Sequence, residues 1–250
     1  MGRVFLYSDV TEAFEETSAP FVAAAGGRAA RLAWLVASPT GWEPFLAGCR
    51  DPWLRLGAAE VVPILPAGDP PAFPAAMLDE LQRCTGVFVC GGDTRRYHAL
   101  CVRGPAGAIL RGRCREGLPY AGLSAGALIA PARCIVWGDR VTSLANRCCL
   151  RGADDGCDAE LQLAEGLGLL RDCLIEPHFS ERGGFPRLVT AMDRAPVRHG
   201  LGLDDPTCVE VRDGAEIEVH GRGRAYRLRR ERPGRFRVQL LEPGTRCRLD

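Results

Sequence analysis

Apolar residues come in short unbroken runs through the first half of the chain and change to strict alternation near its end. The two textures predict two kinds of strand. Arg3 to Ser8 and Arg31 to Ser38 carry consecutive apolar residues, as strands covered on both faces of a parallel sheet do. Between them Thr11 to Ala25, acidic near its front and closed by Gly26-Gly27, predicts a helix. The alternation repeats: Trp42 to Leu56 is a helix interrupted by Pro44 and Pro52, and Ala59 to Leu65 a strand whose Pro63 places it near a sheet edge. Ala75 to Cys84 then reads as helix, Gly86 to Cys90 as strand and Arg95 to Val102 as helix. This order predicts an α/β fold with a doubly wound, mostly parallel sheet, whose ligands lie at the carboxyl ends of the strands.

Further on, Arg133 to Val136 and Leu174 to Phe179 read as strands, residues 145–160 as loop, Leu161 to Leu170 as a short helix or packed turn, and Pro186 to Asp193 as helix. From Gly200 the pattern alternates. Thr207 to Val211, Ala215 to Val219, Ala225 to Leu228 and Arg235 to Leu241 predict antiparallel strands, with turns at Asp213-Gly214 and Pro233-Gly234. No flexible linker sets this part off, so the expectation is a single domain over 1–250 in which 207–250 is a β-rich extension.

Composition narrows the chemistry. With 46% hydrophobic residues a sizeable core is available, and a formal charge of +1 implies no electrostatic partner, neither nucleic acid nor an anionic membrane. The arginines of 222–237 read as solvated strand faces, with too few interleaved aromatics for a nucleic-acid surface. All 32 basic residues are arginine, which excludes any lysine-dependent mechanism. The twelve cysteines form no CxxC pair and no zinc-like group with histidine, so no metal is expected, and several sit in apolar runs where a free thiol acts as a small hydrophobe. No signal-like segment precedes the first strand and no apolar stretch approaches the roughly 18 residues a membrane span needs. A reduced, cytoplasmic protein without a membrane partner is the expectation, with Cys148-Cys149 as the pair open to oxidation.

The richest stretch is residues 118–130, where a short apolar run meets Gly122-Leu123-Ser124-Ala125-Gly126 and then small helix-forming residues. Strand, sharp turn and helix in that order lift the Ser124 hydroxyl clear of the sheet and aim the Ala125 amide at the same spot. Gly91-Gly92-Asp93-Thr94 also ends a strand. If the two strands are neighbours, a glycine amide at 91 or 92 supplies a second oxyanion donor; otherwise the glycines only permit a tight turn. A serine nucleophile needs a base. Of the four histidines, His98 lies in a predicted helix, His199 in a turn after Pro196 and His220 in an alternating strand, whereas His178 stands at a strand end.

Gly-Gly-Asp-Thr, Gly-Leu-Ser-Ala-Gly-Ala, Pro-His-Phe-Ser-Glu-Arg-Gly and Gly-Leu-Gly-Leu-Asp-Asp-Pro-Thr, in this order over residues 3–211, resemble the cyanophycinase and dipeptidase E family of serine peptidases, whose fold is similar to class I glutamine amidotransferases. The resemblance implies Ser124 as nucleophile, His178 as general base and then acid, and oxyanion donors at Gly92 and Ala125. It implies Asp139 as the third member, with Asp158 or Glu160 as replacements. No cofactor is implied, and a homodimer is the family-level expectation. Asp93, Glu176 and Arg182 are candidate substrate-binding residues: Arg182 for a substrate carboxylate or else an ion pair with Glu181 or Glu176, and Asp93 for an amino group or guanidinium or else as a helix cap. The expected substrate is a short aspartyl or isoaspartyl peptide. A nonpeptide amide, or a family member that binds without catalysis, stays open.

Overall fold

The computed structural model describes residues 2–10, 13–138, 160–195 and 197–249. The unbroken apolar runs become the centre of a sheet. Strands β1 (Val4–Tyr7), β2 (Arg31–Leu35), β3 (Glu60–Ile64), β4 (Gly86–Val89) and β5 (Tyr120–Leu123) run parallel in the order β1-β5-β4-β2-β3. β3, which carries Pro63, is the edge strand as its proline predicts. Helices α1 (Phe14–Ala24) and α2 (Glu43–Arg55) pack on each other, as do α3 (Ala75–Arg83) and α5 (Pro105–Arg115). Phe14 and Phe21 of α1 meet Trp53 of α2 and Phe88 of β4 in a ring cluster with centroids 5.0 to 6.5 Å apart. Burying each such ring stabilises by about 1.5–3 kcal/mol, and this cluster fixes the helical layer on the sheet.

The sheet does not end at β1. β10 (Thr207–Arg212) pairs antiparallel with it, followed by β11 (Glu216–Gly221) and β14 (Arg246–Arg248). A second sheet of order β13-β12-β9-β8 is built from β8 (Cys173–Pro177), β9 (His199–Leu203), β12 (Ala225–Arg232) and β13 (Arg235–Leu241), with β8 and β9 parallel. α7 (Phe185–Arg194) packs on β8 and β9 through Leu188, Ala191 and Met192.

Three expectations change. Leu161 to Leu170 holds no helix: β7 (Gln162–Glu165) pairs antiparallel with β6 (Arg133–Trp137). The helix expected over Arg95 to Val102 divides into α4 (Thr94–Tyr97) and a wider turn over His98–Arg103. His199 is not in a turn but opens β9, buried, because β9 pairs on both sides with β8 and β12. The loop expected over 145–160 lies outside the described residues except Glu160, as do Thr11 and Cys148-Cys149. Among the described residues no helix is long and apolar enough to cross a membrane. The described cysteines are free, and all but Cys247 are buried. Burial pushes the Cys49, Cys101 and Cys114 thiols up to about 12, which suppresses thiolate chemistry at neutral pH.

Candidate active site

β5 ends at Leu123 and helix α6 (Ala125–Ile129) begins two residues later, with Ser124 alone making the turn. Its backbone sits at φ 49°, a region costly for any residue bearing a side chain. Close approach on both sides explains the flanking glycines. A Cβ on Gly122 would come within 2.5 Å of the Gly126 backbone, and one on Gly126 within 2.1 Å of the Val89 carbonyl oxygen. The Ser124 amide donates to the Tyr7 carbonyl at 2.9 Å, and its own carbonyl accepts from Leu128 N–H at 2.9 Å. The strained turn is thereby clamped between β1 and α6, leaving the hydroxyl at the carboxyl end of β5. Ala125 is the first residue of α6, so its amide has no partner within the helix. β4 does neighbour β5, and the Gly91-Gly92 turn abuts the nucleophile: a Cβ on Gly91 would lie 3.1 Å from Ser124 Cβ.

The histidine facing Ser124 comes from the other sheet. His178 follows β8 directly, at φ 53°, and its Nε2 lies 3.0 Å from Ser124 Oγ. Nδ1 donates to both carboxylate oxygens of Asp205, each at 2.9 Å. This contact puts the proton on Nδ1 and leaves Nε2 free to accept from the serine. Asp205 stands two residues past the end of β9, the parallel neighbour of β8. Burial acts to raise its pKa, but hydrogen bonds from His178 and Ser8, with the electrostatic pull of His178 and Arg182, outweigh burial and hold the carboxyl below its ordinary value. Asp205 therefore stays ionised when its partner needs an anion. Its amide donates to Glu181 Oε1 at 3.0 Å.

Ser8, fully buried just past β1, joins these parts. Its Oγ accepts from the His178 amide at 2.7 Å and donates to Asp205 Oδ1, with the Leu203 carbonyl oxygen 3.1 Å away as another acceptor. One hydroxyl thus contacts the backbone of the histidine and the side chain of the acid.

Asp139 and Asp158 lie outside the described residues. Glu160 is exposed, 3.9 Å from Arg194. The carboxylate on His178 is Asp205, a residue sequence analysis had only as part of Gly-Leu-Gly-Leu-Asp-Asp-Pro-Thr. A signal was present, since a Leu-Gly-Leu run closing in a carboxylate at a strand end is what a site at strand termini requires. Asp93 does cap α4, accepting from the Arg95 and Arg96 amides at 2.9 and 3.4 Å. Glu176 is corrected: it is fully buried against Arg187 at 2.9 Å and lies off the cleft, because its strand position faces the segment leading into α7. Arg182, Gly92 and Asp93 do line the cleft, a space of about 670 Å³ shared with Ser124 and His178. Two other histidines are engaged elsewhere, His98 Nε2 meeting the Glu165 carbonyl oxygen at 2.8 Å and His220 lying 3.4 Å from Glu210, and His199 is buried at the start of β9. Glu210, Glu218 and His220 have metal-like spacing, but Arg3 and Arg212 already contact Glu210 at 2.6 Å and would compete with a cation there.

Comparison with known proteins identifies the family. The sequence model of peptidase family S51 matches residues 11–219. A cyanophycinase of Synechococcus elongatus and one of Thermosynechococcus vestitus are each 33% identical over 174 residues, which is 69% of this chain and 50% of theirs. The chain thus spans about half the length of these curated relatives. In three dimensions, a peptidase from an acI-B1 Actinobacterium superposes with a TM-score of 0.70 at 18% identity, covering 99% of this chain and 97% of that one. A Listeria monocytogenes EGD-e protein put forward as a peptidase E superposes with a TM-score of 0.58 at 16% identity, covering 88% and 98%. At these identities the likeness is one of fold.

Proposed function

The chain belongs to peptidase family S51, and from that premise we propose that it is a serine peptidase that hydrolyses short aspartyl or isoaspartyl peptides through Ser124, His178 and Asp205. One observation carries the reading: His178 Nε2 lies 3.0 Å from Ser124 Oγ while its Nδ1 lies 2.9 Å from the Asp205 carboxylate. A base in contact with the hydroxyl and oriented by a buried anion is what a serine nucleophile requires.

His178 Nε2 takes the Ser124 proton as Oγ attacks the amide carbon. The carbonyl electrons move onto oxygen, where the amides of Gly92 and Ala125 receive the charge. The imidazolium, stabilised by Asp205, then gives its proton to the leaving amine as the C–N bond breaks, leaving an acyl ester on Ser124. Water, deprotonated by His178, cleaves the ester and restores the serine. Proton transfer of this kind contributes about a hundredfold to ten-thousandfold, and one oxyanion donor about a hundredfold to a thousandfold.

The aspartyl preference rests on Arg182, a cation in the lining that Ser124 and His178 share and one that suits a substrate carboxylate, and on the likeness to cyanophycinases. Glu176, a candidate substrate-binding residue from the sequence, is in the buried pair with Arg187 and outside the cleft lining, so it does not bear on this reading. Hydrolysis of α- and β-aspartyl dipeptides, including β-aspartyl-arginine, by the wild type and by Ser124→Ala tests the proposal. Turnover by the wild type alone supports it. No turnover of any dipeptide moves the assignment to a nonpeptide amide or to binding without catalysis.

A further inference from the structure

The first turn of α2 forms part of the cleft wall, yet it is not built like a surface turn. Trp42, Pro44 and Phe45 line the same space as Ser124 and His178, and Phe45 is 70% exposed. Trp42 rests against Trp34 of β2, with ring centroids 6.2 Å apart at 58°. Trp34 is itself fully buried, so the outer ring is held by one that cannot move aside. A Phe this exposed gains little from the core; its contact surface is available to whatever enters the cleft. Below it Val36 and Ala37 continue the apolar lining.

The charged groups of the lining have other commitments. Asp93 is occupied by the α4 amides and by Arg95, 3.4 Å away, and Arg96 approaches it to 3.9 Å. Asp9 is the other carboxylate in the lining, and its Oδ1 accepts from the Val10 amide at 2.7 Å. Arg182 stands near the catalytic acid. The cleft thus offers a cation beside the reacting groups and an aromatic wall farther out, in a volume large enough for two residues.

We propose that Trp42 and Phe45, backed by Trp34, form a subsite for an apolar side chain, so that the preferred substrates are dipeptides joining an aspartyl or β-aspartyl residue to an aromatic or branched aliphatic residue rather than to arginine. The inference rests on the peptidase reading for its choice of substrate and names the second residue, which that reading leaves open. Covering a phenyl or isobutyl group here is worth about tenfold or more in affinity over glycine.

Binding tests it without turnover. Ser124→Ala protein is titrated calorimetrically with aspartyl and β-aspartyl dipeptides ending in phenylalanine, leucine, glycine or arginine. The expected result is binding about tenfold tighter for phenylalanine and leucine than for glycine and arginine, a gap that Phe45→Ala largely erases without weakening the glycine peptides. Because Phe45 is exposed, that substitution leaves the core intact; Trp42→Ala is the second probe and should act the same way. Equal affinities, tightest binding of the arginine peptides, no binding of any dipeptide, or a gap that survives both substitutions would each overturn the subsite. Wild-type turnover, measured separately, decides the peptidase reading: tight apolar preference without turnover removes catalysis and keeps the subsite, whereas turnover with preference for arginine does the reverse.

Discussion

At the residue scale the site depends on a hydroxyl that sequence analysis had no means of choosing. Ser8 is one small polar residue at the end of an apolar run, and only the fold reveals that its Oγ touches both the His178 amide and the Asp205 carboxylate. Hydrogen bonds to charged groups are worth about 1.5–3 kcal/mol. Ser8→Ala should therefore lower kcat about tenfold to a hundredfold with KM changed far less, since it removes only a fully buried hydroxyl at the base of the cleft and loosens the groups that move the proton. Unchanged kcat in steady-state kinetics would deny Ser8 a positioning role. Asp205→Asn should be far more damaging, on the order of ten-thousandfold in kcat, by the precedent of amide replacement in serine triads. Asp139→Asn made alongside gives the contrast: if it is the variant that collapses, Asp205 is not the catalytic acid. The Ser124–His178 contact was legible because a sharp strand-to-helix turn needs flanking glycines and a site at strand termini draws on a histidine at a strand end. Asp205 was hidden because its strand, broken by Gly200 and Gly202, lacks the apolar run that marks the others.

At the element scale, strands buried on both faces announced themselves, and a helix with glycines inside it did not. β1, β2 and β4 are carried by apolar runs, and β5 was legible through the glycine-flanked turn that follows it. α5 contains Gly107 and Gly112, and its period is blurred enough that sequence analysis assigned no helix there. Glu176 shows the other limit: on β8 it looks like a polar residue beside the catalytic histidine, but it belongs to the buried pair with Arg187 that holds α7 to its strand. Removing one member of such a pair leaves an uncompensated buried charge and costs about 3–5 kcal/mol. Glu176→Ala should lower the urea midpoint accordingly while the folded fraction keeps its KM. A raised KM with unchanged stability would return Glu176 to the substrate.

At the scale of the whole molecule, the site spans two sheets. Ser8 and Ser124 end strands of the first, and His178 and Asp205 end strands of the second. Catalytic geometry therefore depends on how firmly the second sheet is held, and acid should loosen it at the far end of β9. His199, which opens that strand, is 5% exposed, and its Nδ1 lacks a hydrogen-bond partner. Burial lowers its pKa to about 4; Asp172 opposes the shift, and Arg227, Arg198 and Arg229 add to it. The unfolded chain, with histidine near 6.5, binds the proton first, so between pH 6.5 and 4 stability falls as pH falls. The full difference corresponds to about 3 kcal/mol. Glu210, whose carboxyl is held well below the ordinary range by His220, Arg3 and Arg212 against the upward push of burial, begins to lose its contribution only as pH falls through the ordinary carboxylate range, so the two effects separate. Urea unfolding at pH 7 and pH 5 should show the loss in the wild type and a clearly smaller one in His199→Gln, whose amide does not titrate. Equal losses in both proteins would place the acid sensitivity elsewhere. If activity at pH 5 recovers in His199→Gln along with stability, it is the attachment of the second sheet, rather than protonation of His178, that limits the enzyme in acid.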